Sequence, residues 1–106
     1  MTMAEYDLNP LFEEYPSLIE QMPDTFTSHA FILNLAQQNQ PLYIDAVNAY
    51  RDSTHEGTPA PFKAVHGRLS KQLHNYPNRI KYVEHVQSKD IFNQSSECAS
   101  WIKINQ

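Results

Sequence analysis

Apolar residues recur along this chain with two rhythms, one helical and one extended. From Leu8 onward they fall at Leu8, Leu11, Phe12, Tyr15, Leu18, Ile19 and Met22, spacings of three and one that place them on one face of a helix. Asn9-Pro10 offers a start, with Asn as cap and Pro in the first turn. Pro16 lacks an amide donor and collides with the preceding turn, so it predicts a kink or two short helices. Pro23 and Asp24 end the segment.

A second helix is predicted from the Thr27-Ser28 cap through Phe31, Ile32, Leu35 and Ala36, stopping at the polar turn over 37–40. A third begins at Pro41 and carries Tyr43, Ala46, Val47 and Tyr50 before ending near Arg51. Residues 52–58 are turn formers without apolar period, and Thr58-Pro59 opens a last helix predicted over 59–76. Phe62, Val65, Leu69, Leu73 and Tyr76 lie along one side of it; Lys63, Gly67, Ser70, Lys71 and His74 lie along the other.

Pro77-Asn78 stops that helix and the period shortens. Residues 79–86 and 98–105 are rich in β-branched and aromatic side chains and read as two strands joined by a long polar connection over 87–97. Their alternation is imperfect, because Val83 and Trp101 fall opposite Ile80, Tyr82, Val86, Ile102 and Ile104, which predicts partial cover on both faces. The expected class is α+β, mostly helical. An amphipathic helical extension over 1–24 precedes a domain over 25–106 made of three helices and a C-terminal two-stranded hairpin.

A length of 106 residues and 41% hydrophobic composition suit one small core. Cys98 is the only cysteine, which excludes an intramolecular disulfide and suits a reducing setting; the expected location is cytoplasmic, with no membrane span. Charge changes the picture more than composition does. Residues 1–24 hold six acids (Glu5, Asp7, Glu13, Glu14, Glu20, Asp24) and no Lys or Arg, whereas residues 61–83 hold five bases (Lys63, Arg68, Lys71, Arg79, Lys81) and no acid. The net charge of −4 argues against nonspecific attraction of the whole molecule to polyanions, so a polyanion site must be local.

Three helices followed by a ribbon with a long loop resemble a winged helix-turn-helix domain over about residues 26–105. The resemblance rests on element order, and the linker over 52–58 is longer than that of a tight helix-turn-helix. It implies a duplex-DNA site on the basic helix and the wing, formed by Lys63, Gly67, Arg68, Ser70, Lys71 and His74 with Lys89 on the wing. Independently of the family, Lys63, Lys71 and His74 share a helix face with the small Gly67 and Ser70, and Arg79 and Lys81 extend the patch onto the first strand. The expected function is DNA binding or DNA-associated transcription regulation without catalysis.

The alternative is a protein-interaction module, acting as adaptor, inhibitor or homodimer. Its surface is the acidic helix, with Leu11, Phe12, Glu13, Glu14, Tyr15 and Leu18, together with Ile91 and Phe92, which are unusual in a polar loop; the other reading of both is structural, the helix face packing on the domain's own core and the loop folding back to bury Ile91 and Phe92. The acidic segment could also mask the basic face. Catalysis finds little support. The histidines at 29, 55, 66, 74 and 85 show no close metal-ligand spacing, no phosphate-cradling glycine loop occurs, and a lone Cys at a strand start reads as a small buried residue. No metal, cofactor or small-molecule substrate is expected.

Overall fold

The computed structural model describes residues 6–104; Glu5 of the acidic cluster and the predicted strand end at Asn105 lie outside them. Pro16 breaks the first amphipathic segment into α1 (Asn9–Phe12) and α2 (Tyr15–Gln21). Because Pro16 has no N–H, the carbonyl of Phe12 lacks its helical donor, and the Tyr76 hydroxyl donates to it instead at 3.3 Å. Asn9 does not cap α1. The Asp7 carboxylate accepts from the Asn9 amide at 2.9 Å, outside the helix.

The apolar face of this segment is part of the main core. Leu8, Leu11, Tyr15, Leu18, Ile19 and Met22 are all buried in the cluster that includes Phe31, Ile32, Leu35, Val65, Leu69 and Leu73. Tyr15 fastens it: fully buried, its hydroxyl donates to the Leu69 carbonyl at 2.6 Å, and its ring lies 4.7 Å from that of Phe31 and 5.7 Å from that of Tyr76. Burial, and secondarily the neighbouring Tyr76, pushes its ionisation far above the ordinary tyrosine range.

A short strand absent from the sequence reading follows, β1 (Thr25–Thr27), which pairs antiparallel with the last strand through Thr25↔Ile102, Phe26↔Trp101 and Thr27↔Ser100. Three residues are too few for a visible alternation. The predicted cap is present at the start of α3 (Ser28–Gln38), where Thr27 Oγ1 accepts from the Ala30 amide at 3.1 Å. Buried Ser28 accepts from Trp101 Nε1 at 2.9 Å, joining helix to sheet. α4 (Gln40–Ala49) follows with Pro41 in its first turn.

Residues 52–58 are more ordered than a bare loop. Thr54–His55 and Thr58–Pro59 form β2 and β3, a two-stranded hairpin whose turn residues Glu56 and Gly57 have φ of 53° and 81°. Positive φ at both centres is the type I′ condition, which Gly57 meets freely and Glu56 at a steric cost. The last helix consequently starts later than predicted: α5 is Pro61–Gln72, closed by a 3-10 turn at Leu73–Asn75.

The hairpin is longer and its loop shorter than the pattern implied. β4 (Ile80–Lys89) and β5 (Ser95–Lys103) pair through Gln87↔Glu97, Ser88↔Ser96 and Lys89↔Ser95, so most of the polar connection is strand. Polar residues suffice there because the distal ribbon is largely exposed, which removes the alternation that sequence reading relies on. Asp90 shapes the turn by accepting from the Phe92 and Gln94 amides at 2.8 and 3.0 Å, and Asn93 takes the left-handed conformation at φ 64°. A register shift between Tyr82 and Glu84 explains the imperfect alternation, leaving Val83 exposed while Trp101 is buried.

The sheet order is β1-β5-β4, with β4 at an edge. Lys103 links sheet to helix by donating to the Glu20 and Met22 carbonyls at 2.9 and 3.0 Å, where α2 leaves its last carbonyls without helical partners. The result is a compact α+β fold. No helix among the described residues is long and apolar enough to cross a membrane.

Candidate nucleic-acid interface

α5 divides into two faces because its apolar residues recur at four-residue steps. Val65, Leu69 and, in the 3-10 turn, Leu73 are fully buried, while Lys63, Gly67, Arg68, Lys71 and His74 are exposed and Ser70 is half-buried. Lys63 and Lys71 are two turns apart, roughly 12 Å along the axis. Gly67 lies between them on open surface, where an added Cβ would meet nothing within 4 Å.

The C-terminal half of this face is concave. Arg68, Lys71 and His74 line an open groove of about 720 Å³ with Phe12, Gln72 and Asn75, where α1 approaches the end of α5. His74 also borders a second recess of about 370 Å³ with Pro77, Lys81, Tyr82, Trp101 and Ile104. Among the described residues, no carboxylate lines either one. Around the shared histidine the rings meet edge to face: His74 and Trp101 at 4.9 Å, Tyr82 and Trp101 at 5.9 Å, Tyr82 and His85 at 5.5 Å. Tyr82 and His85 also share a hydrogen bond. Arg68 carries its guanidinium 5.9 Å from the Tyr50 ring centroid.

The remaining candidates are spread out. Arg79 borders a separate recess of about 420 Å³ with Glu20, Asn78 and Lys103. Lys89 is exposed at the far end of β4, and Lys63 is exposed in the first turn of α5. Arg68, Lys71, His74 and Lys81 thus form the coherent group. Among the described residues, Lys63, Lys71, Arg79 and Lys81 have no carboxylate within 4 Å, and the ion pairs Arg51–Asp52 and His55–Glu56 are neighbours in sequence.

The acidic segment offers little open apolar surface. Leu11, Tyr15 and Leu18, proposed from sequence as partner contacts, belong to the core, because the face they share is the one that packs on the helices behind it. Phe12 is partly buried, and Glu13 and Glu14 remain exposed.

Ile91 and Phe92 bring the hairpin tip back onto the helices. Ile91 is partly buried against the core, whereas Phe92 stays 49% exposed, with its ring 4.7 Å from Phe62 and stacked 6.2 Å from His66. His66 Nε2 and the Tyr43 hydroxyl share a 2.6 Å hydrogen bond, and His29 Nε2 and Ser96 Oγ one of 3.2 Å. Burial holds His66 below the ordinary histidine range, against the pull of Asp90 and with help from His29. Burial pushes Tyr43 up to about 12. The Gln94 amide, with the Phe92 amide and both histidines assisting, holds Asp90 below the usual carboxylate range against a desolvation penalty.

Gln72 and Asn75, on the wall of the main groove, were not among the sequence candidates; their type and spacing are those of any exposed helix end. The sequence matches no known family model, and comparisons with curated proteins and with solved structures found no match.

Proposed function

We propose that this protein is a non-catalytic nucleic-acid-binding module acting in a DNA-associated regulatory role, and that its site is the exposed face of α5 continued onto the start of β4. The observation that carries this reading is the groove where Arg68, Lys71 and His74 converge with Gln72 and Asn75, on a chain whose net charge is −4. The order α3, α4, α5, β4, β5 supports a winged-helix-like arrangement, with β1 and the small β2–β3 hairpin as additions to it. The wing plays the smaller part here, since its tip is folded against α5 and its single base is Lys89.

The test is binding of the intact protein to mixed-sequence DNA at increasing salt. Binding should weaken with a log-log slope of roughly −0.9 per phosphate contact on duplex. Lys71→Glu and Arg68→Glu should abolish it, whereas Lys89→Glu should change it little. Salt-independent binding, or equal loss in all three, rules the site out.

A second reading, an interaction module that pairs with another copy of this chain, is favoured by a separate observation. Leu33 and Ile44 are 38% and 61% exposed and border a shallow recess of about 300 Å³ with Ala36, Tyr43 and Ile91. Sedimentation of the wild type and Ile44→Asp tests it: a concentration-dependent dimer lost in the variant supports the reading, and a monomer in both removes it.

A further inference from the structure

We infer that the preferred ligand of this site is single-stranded nucleic acid, held by its phosphates along Arg68, Lys71 and Lys81 and by base stacking on Tyr82 and His74. The inference rests on the proposed basic site and specifies the form of ligand that site takes.

The shape of the surface carries it. A helix that reads duplex projects into the major groove as a convex ridge. Here the most cationic stretch of α5 is instead one wall of a groove, with Phe12 of α1 opposite and the β4 recess next to it, joined through His74. A strand with unstacked bases can enter such a surface more readily than a stiff duplex.

The chemistry follows the same line. Sequence-tolerant single-strand sites combine a cationic track with exposed rings. Tyr82 is 40% exposed although it packs edge-on against buried Trp101, so that part of its ring remains available. Its hydroxyl, at the ring's far end, shares a hydrogen bond with His85. His74 is exposed at the junction of the two recesses, between Lys71 on α5 and Lys81 on β4. The bulge between Tyr82 and Glu84 occurs at this place, where such irregularities commonly re-aim a side chain.

The experiment compares fluorescence anisotropy of labelled dT12, U12 and a 12-base-pair duplex with the full chain and four variants, at low and moderate salt. Either single strand should bind at least ten-fold more tightly than the duplex, and the two arms show whether the ribose 2′-hydroxyl contributes. Tyr82→Ala and Tyr82→Leu should each weaken single-strand binding about five-fold or more, with the salt slope unchanged. Tyr82→Leu retains apolar packing on Trp101 and therefore separates a lost stacking face from a lost fold, while Tyr82→Phe should stay near wild type. Lys71→Ala should reduce the slope by about 0.7. Duplex bound as tightly as single strand, or Tyr82 variants without effect while Lys71→Ala still weakens binding, overturns the stacking inference and leaves the basic site standing. No salt-dependent binding to any of the three overturns both.

Discussion

Truncating Tyr15 tests whether the acidic segment is a part of the domain or an attachment to it. Its hydroxyl donates to the Leu69 carbonyl, and its ring contacts Phe12, Phe31 and Tyr76 at 5.7, 4.7 and 5.7 Å between centroids. Tyr15→Phe removes one buried hydrogen bond and keeps the ring. The loss of that bond should cost about 1 kcal/mol. Tyr15→Ala removes the ring as well and leaves a cavity beside fully buried Phe31 and Leu69, which adds about 3–5 kcal/mol. Against a total stability of about 5–15 kcal/mol, the first change should lower Tm by about 4–8 °C and the second should bring the protein near unfolding at room temperature. Urea unfolding followed by the fluorescence of Trp101, the only tryptophan, measures both. If Tyr15→Ala costs less than about 1 kcal/mol, or unfolds in two steps with Trp101 reporting only the later one, the segment over 9–22 is not integral to the core. Deleting residues 1–24 would remove the same contacts, so increased DNA affinity in such a truncation cannot be read as simple unmasking.

The other expectations concern the site and the hairpin tip. Gly67→Ala should stabilise α5 by about 0.5–1 kcal/mol, since the position is helical and open, while weakening nucleic-acid binding if phosphates approach the backbone there; melting and anisotropy on one sample separate the two effects. Phe92→Ser should lower stability by about 1 kcal/mol through loss of the Phe62 and His66 contacts, and a change in partner affinity without any change in melting would contradict this. His66 is held below 6.5 in the folded state, so its contribution to stability is complete above pH 6.5 and is lost as pH falls through the folded value, because the unfolded chain takes up the proton first. Unfolding free energies at pH 7.5 and pH 5 should therefore differ more in the wild type than in His66→Gln. Ser28→Ala should cost about 1–3 kcal/mol by leaving the buried Trp101 Nε1–H without its acceptor, and Ser28→Thr should recover part of that loss if the hydroxyl is what matters.

Sequence reading was most informative where a periodic pattern met a definite stop. The apolar face from Leu8 to Met22, the break at Pro16, the Thr27 cap and the buried side of α5 are all legible, because each follows from helical period or from the missing donor of proline. The basic residues of the candidate site were legible too, since Lys63, Arg68 and Lys71 fall between the buried positions of α5 and are exposed. What the pattern missed were β1, three residues long, the two-residue strands β2 and β3, and the polar ribbon over 87–89 and 95–97, whose pairing does not depend on burying alternate side chains.

By itself, then, the sequence determined that helices precede a hairpin and that acids and bases occupy different segments, because period, proline and composition act within a few residues of one another. Only the tertiary structure decided what those segments do together. The apolar side of the acidic segment is buried in the core because its partners, Phe31, Leu69 and Tyr76, come from α3, α5 and the residue after the 3-10 turn. The cations of α5 become a concave site because α1 and β4 arrive on either side of them, and contacts between residues as distant as Phe12, His74 and Tyr82 have no signature in local order.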